Sequence, residues 1–180
     1  MKIKRIKIQE MAIISLMAAV LCVIGPATIP VGVVPVTLIT VALYLIVYMI
    51  GMWKATISCL IYICIGLVGL PVFSGYSAGP AVLLGPTGGY LIGYLLLTVS
   101  SGFFIERFAK RGMHLLGMLL GLVLCYFLGT IWLALYADIS LWQAILTGVA
   151  PFIIFDLIKI AVALLLGPPF RRHLKKANVL

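Results

Sequence analysis

The sequence predicts an all-α integral membrane protein: one domain over residues 1–180, built as a bundle of six transmembrane helices with both termini cytoplasmic. Composition is the first ground. The chain is 64% hydrophobic and 9% charged, with a mean hydropathy of +1.29, more apolar surface than a water-soluble domain of this length can bury. The second is the division into six apolar runs by Gly, Pro and charged breaks, over about 11–29, 36–52, 55–70, 83–105, 113–137 and 141–167. The third is charge placement. Of 13 Lys and Arg, all but Lys159 fall at the N-terminus, in the second–third and fourth–fifth connections, or in the C-terminal tail, and the opposite connections carry none. That is the positive-inside pattern. The net charge of +9 therefore reports orientation and contact with anionic lipid, and excludes nucleic acid as the partner it would suggest in a soluble protein.

The first run follows Lys2, Lys4, Arg5 and Lys7. It reads as a transmembrane helix ending near Gly25-Pro26 and not as a signal peptide, because more spans follow. Ser15 and Ala19, with Ala12, Ala18 and Cys22 nearby, give it a face of small residues suited to close contact with another helix. Pro30–Pro35 is a short uncharged turn. The second span ends at Trp53-Lys54, an interfacial aromatic beside a cation. The third leads into the longest uncharged connection, Pro71–Pro80. The fourth opens at Gly85-Pro86-Thr87-Gly88-Gly89-Tyr90 and closes before Glu106, Arg107, Lys110 and Arg111. Asp138 or Ser140 is placed to cap the sixth helix.

Glycines recur every four residues at Gly85, Gly89 and Gly93, and again at Gly117, Gly121 and Gly129 with Cys125 in register, the packing device of membrane helices. Gly88 lies off that row, and Pro86-Thr87 interrupts the helix start, so Gly85–Tyr90 is a candidate for presenting free amides to a ligand. No Lys-Ser/Thr follows, so it is not a P-loop and the chain is expected to bind no ATP. Cys22, Cys59, Cys64 and Cys125 lack ligand spacing and read as packing residues; neither metal nor disulfide is expected. His114 and His173 sit beside basic clusters at segment ends and read as interfacial.

The last span holds the chemistry. Asp156 and Lys159 share one helix face, and each costs about 2.5–3.5 kcal/mol at the centre of a membrane helix. Lys159 lies about 18 Å from Arg171 at helical rise, near mid-membrane. Pro151, one turn before Asp156, removes a donor and is expected to bend the segment or free a carbonyl. Such a pair serves either as a structural pair that fixes helix packing or as a substrate or ion site. In the predicted topology Gly85–Tyr90, Gly129-Thr130, Trp132 and Tyr136 lie in the outer half, above the pair, as in a site loaded from outside.

Taken together, Ile29-Pro30-x-Gly32-x-x-Pro35-Val36-Thr37, Gly69-Leu70-Pro71-Val72-Phe73, Leu84–Tyr90, Gly129-Thr130-x-Trp132 and Asp156-x-x-Lys159 resemble the BioY family, in order over nearly the whole chain. These are the biotin-specific S components of prokaryotic energy-coupling-factor (ECF) vitamin transporters. The resemblance implies a high-affinity binding subunit of the cell (inner) membrane, docked on a transmembrane T component with two cytoplasmic ATPase subunits, toppling to release its vitamin inside. The chain departs from the family at Ile39, where Gln is usual.

A biotin ureido ring has two N–H donors and one carbonyl, which a carboxylate and an ammonium can satisfy together, so Asp156 and Lys159 are the expected polar contacts. Phe73, Tyr90, Trp132 and Tyr136 are candidates for the apolar walls, and Thr37 or Gly85–Gly89 for the ligand carboxylate. No catalytic residue is expected. The runner-up is an S component for another small acid such as lipoate; an intramembrane enzyme or a membrane scaffold are the readings outside transport.

Overall fold

A computed structural model describes residues 8–29 and 34–176, and the basic N-terminal residues 2–7, Pro30 and Gly32 lie outside that range. The described residues form eight α-helices: α1 (Ile8–Ile24), α2 (Ile39–Ile50), α3 (Met52–Val68), α4 (Pro80–Leu84), α5 (Gly88–Arg107), α6 (Arg111–Ala137), α7 (Leu141–Gly148) and α8 (Ile153–Lys176). Two short strands, β1 (Thr28–Ile29) and β2 (Val36–Thr37), pair antiparallel. Residues 88–107, 111–137 and 153–174 are long and apolar enough to cross a membrane; α1, α2 and α3 are apolar but shorter.

The boundaries depart from the expected spans for local reasons. The first helix stops at Ile24, beside the expected end at Gly25-Pro26 and short of the apolar run's end at Ile29, because Pro26 offers no amide to continue the ladder. Thr28 and Ile29 pair with Thr37 and Val36, which takes Val36 and Thr37 out of the second span. The fourth span is divided: α4 ends at Leu84, Gly85 is extended, and α5 starts at Gly88 behind Pro86. The sixth is divided as well. α7 ends at Gly148 and α8 begins at Ile153, so Pro151 stands in a break of four residues and not in a bend. α8 then runs past Gly167, through Pro168 and Pro169, and carries Arg171 and Arg172.

α2 is the central element. Nine of its twelve residues are buried, among them Leu43, Tyr44, Val47 and Tyr48, as an almost uniformly apolar helix requires. α1 turns Ile14, Ala18 and Leu21 inward, and the Ser58 hydroxyl of α3 donates to the Ile14 carbonyl at 3.0 Å. α5 and α6 pack antiparallel through the two glycine rows. A methyl group at Gly93 would overlap Cys125, one at Gly117 would strike Phe104, and one at Gly121 would crowd the Leu97 backbone. Ser140 caps α7 through a capping box with Gln143. Outward faces carry exposed apolar residues such as Leu116, Val123, Phe127, Leu157, Ile158 and Leu165, while Thr40, Thr98, Ser101 and Asp156 are inside. Apolar outside and polar inside is the arrangement a lipid solvent demands.

Candidate ligand-binding site

Asp156 and Lys159, one turn apart on α8, form an ion pair of 2.7 Å between Lys159 Nζ and Asp156 Oδ1, with side chains 11% and 7% exposed for the lysine and the aspartate. The carboxylate is held from two further helices. Tyr126 of α6 donates its hydroxyl to Oδ2 at 2.5 Å, in the range of a charge-assisted O–H···O⁻ bond. Thr40 of α2 donates to Oδ1 over a longer 3.4 Å. Three helices thus converge on one carboxylate, which satisfies a buried charge that would otherwise be costly.

Beside this cluster lies a cavity, open at its mouth and largely apolar in its lining, as small-molecule sites usually are. Its lining includes Asp156 and Lys159, and the aromatic rings of Tyr62, Phe73, Tyr90, Tyr94 and Tyr126. The hairpin contributes Val34–Thr37, the 69–79 connection contributes Ser74, and α2 contributes Ile39 and Thr40.

Two aromatic walls are fixed by glycines. Phe73 is 1% exposed, stands edge-on to Tyr62 with centroids 5.6 Å apart, and fills the space a side chain at Gly66 would take. Tyr90 lies where side chains at Gly129 and Gly148 would be, and its hydroxyl donates to the Gly148 carbonyl at 2.9 Å. That carbonyl is available because the Phe152 amide turns back to Val149 instead, at 2.9 Å. The break at Pro151 therefore frees an acceptor that α5 occupies.

Of the residues read from sequence, Asp156, Lys159, Tyr90, Thr37 and Phe73 line the cavity. Gly85, Gly89, Trp132 and Tyr136 are not among its lining. The Trp132 indole donates to the Gly85 carbonyl at 2.9 Å, and its Cβ lies where a Gly89 side chain would stand, so these three clamp the α4–α5 turn. Tyr136 is 56% exposed on α6. The amides of Gly85, Gly88 and Tyr90 are taken by the carbonyls of Val82, Gly85 and Thr87, which removes three of the free donors expected there. Ser15 and Ala19 are on the exposed side of α1, opposite its buried Ile14, Ala18 and Leu21.

Sequence reasoning missed Thr40, Tyr126 and Tyr94, and placed Ser74 only in a connection over the ligand. Thr37 Oγ1 and Tyr94 Oη are 3.5 Å apart, a second polar pair in the wall. Ser74 Oγ is buried and has no hydrogen-bond partner among the described residues. A signal existed for Tyr126, which lies near the middle of a 27-residue apolar helix, far from the interfacial belts where such rings are usual.

Such a site in such a bundle defines a class, a helical membrane protein with a small-molecule-like cavity between its helices. The chain belongs to the BioY family, whose profile matches residues 1–176. It is 32% identical to biotin transporter BioY2 of Lactococcus lactis subsp. cremoris over 177 residues, covering 96% of this chain and 95% of that one. It is 38% identical to the biotin transporter BioY of Thermotoga maritima over 152 residues, with 84% and 87% covered. Its fold matches the crystal structure of the S-component for biotin from an ECF-type ABC transporter, with a TM-score of 0.83, 28% identity and 92% of each chain covered. With its apolar helices, this makes the chain a multi-pass membrane protein whose relatives are transporters rather than enzymes.

Proposed function

We propose that this chain is the biotin-binding S component of an ECF-type importer, with Asp156 and Lys159 as the floor of its ligand site. The observation that carries the assignment is the unspent hydrogen-bonding capacity at that floor. Among the described residues Oδ2 accepts only from Tyr126, and a carboxylate oxygen has two lone pairs; Lys159 spends one of three ammonium protons on Asp156. One acceptor and two donors therefore remain beside the cavity. A ureido ring, with N–H groups and a carbonyl on adjacent atoms, needs such an edge. Lipoate offers no N–H to the carboxylate, so the same edge disfavours it.

The rings of Phe73, Tyr62 and Tyr90 supply apolar walls for the fused ring and the aliphatic chain. Ser74 and the Thr37–Tyr94 pair supply hydroxyls for the ligand carboxylate. Ile39, 1% exposed and in the lining, makes an apolar contact where Gln is usual in the family. The break between α7 and α8 sets Gly148 and Phe152 into the lining as well.

In this reading the chain crosses the bilayer six times, with α7 and α8 sharing the last crossing and both termini in the cytoplasm of a prokaryotic cell. The hairpin and the 69–79 connection then close over a ligand that enters from outside. The chain binds no ATP and needs no cofactor. Energy comes from two ATPase subunits through a T component, against which the exposed Ser15/Ala19 face of α1 docks. Thermal unfolding of the detergent-purified protein with biotin, lipoate or no ligand tests the assignment. Stabilisation by biotin alone is expected; equal stabilisation by lipoate, or none by biotin, contradicts it.

A further inference from the structure

We propose that a second cavity, between the ends of α5 and α8 and the start of α6, binds the phosphate of an anionic phospholipid headgroup. The inference is independent of the ligand in the central site. This open cavity is lined by Arg107, Arg111, Arg171 and Arg172. These guanidiniums come from the last turn of α5, the first residue of α6 and the late turns of α8. One carboxylate, Glu106, faces them, and its Oε1 already accepts from the Met52 amide at 2.7 Å. Among the described residues the ion pairs are Lys54–Glu10 and Lys159–Asp156, so none neutralises an arginine of this cavity.

The cavity wall is ordered by bonds that set its arginines in place. Arg171 Nη1 donates to the Ile105 carbonyl at 2.7 Å, which ties the end of α8 to the end of α5 and leaves the rest of its guanidinium for a ligand. His114 Nε2 donates to the Phe108 carbonyl at 2.8 Å, and Nδ1 lies 3.0 Å from the Tyr48 hydroxyl, so the back wall is spent on structure. Converging guanidiniums suit a phosphate, whose oxygens accept their paired N–H bonds. The surroundings favour a lipid over free phosphate. Phe108, in the lining, is 37% exposed; Leu115 and Leu116, next in sequence after the lining residue His114, and Phe170, next to Arg171, are 37%, 50% and 43% exposed, apolar surface for acyl chains on the helices that carry the charges. Basic pockets between membrane helices recognise anionic headgroups in this way.

The test uses the full-length protein in detergent, with phosphatidylglycerol, phosphatidylcholine or inorganic phosphate added at one concentration. Native mass spectrometry reads retained lipid, and thermal unfolding reads stabilisation. Phosphatidylglycerol is expected to be retained and to raise Tm, phosphatidylcholine and inorganic phosphate not. The double variant Arg107→Gln/Arg111→Gln keeps the Arg171 tie and should lose most of that retention with an unchanged lipid-free Tm. Lys110→Gln, in the same loop but outside the lining, should behave as wild type. Equal retention of the two lipids, undiminished retention in the double variant, or an equal loss in Lys110→Gln overturns the site; matching stabilisation by inorganic phosphate overturns the lipid assignment.

Discussion

The Tyr126 hydroxyl of α6 donates to Asp156 Oδ2 of α8 at 2.5 Å, on the oxygen that Lys159 does not use. The carboxylate is thereby fixed in orientation, with one lone pair of Oδ2 used by neither partner. Tyr126→Phe should destabilise the protein by about 1.5–3 kcal/mol, the range for a hydrogen bond to a charged group. It should also weaken biotin binding by about tenfold, equivalent to about 1.4 kcal/mol. Calorimetric titration and thermal unfolding of the purified variant measure both. Wild-type affinity would mean that the orientation of the carboxylate does not matter to the ligand.

Gly148 gives up its carbonyl to Tyr90 and leaves room for the ring. Gly148→Ala would drive a methyl group into the Tyr90 hydroxyl and crowd Leu133. The expected outcome is a cost of about 1–3 kcal/mol from overpacking, with lower affinity because a cavity wall is displaced. Tyr90→Phe removes the bond but keeps the ring. It should cost about 1–3 kcal/mol through the unpaired carbonyl and retain more affinity than Gly148→Ala.

The sequence made the apolar helices readable, because composition and breaks act locally. α6 lies within two residues of its expected limits, and the cap at Ser140 follows from Ser and Gln three positions apart. The Asp156–Lys159 spacing likewise announced a pair, and the pair is formed. What could not be read depends on other elements. Tyr126 and Thr40 reach Asp156 from positions 30 and 116 residues away, with no local pattern to link them. Gly85 and Trp132 looked like a vestibule because both are polar-capable and outward in the predicted topology. They bond to each other, and the tertiary partner consumed the chemistry. Pro151 signalled an interruption, but only the fold decides between a bend and a four-residue break.

Access should be visible by labelling. In a background with alanine at Cys22, Cys59, Cys64 and Cys125, Ser74→Cys and Ser77→Cys are expected to react with a membrane-impermeant maleimide from outside. Biotin should protect Ser74→Cys more strongly, since Ser74 lines the cavity. Labelling only in inverted vesicles would reverse the proposed orientation.

Docking and binding should separate. Ser15→Leu or Ala19→Leu enlarges an exposed face of α1, which under the proposed docking must come close to a partner helix. Biotin uptake into cells expressing the T component and both ATPase subunits should fall, while affinity in detergent stays unchanged. Loss of binding in the purified variant would move the interface elsewhere.

The floor itself is tested by removing both charges at once. Breaking only one member of a buried pair costs about 3–5 kcal/mol, which mixes folding with recognition. Asp156→Leu with Lys159→Met removes the charges and keeps apolar volume. Biotin binding to this double variant, measured calorimetrically once cooperative thermal unfolding has established that it is folded, is the most direct measurement. A folded protein that binds no biotin is the predicted result; a folded protein with near-native affinity would contradict the site.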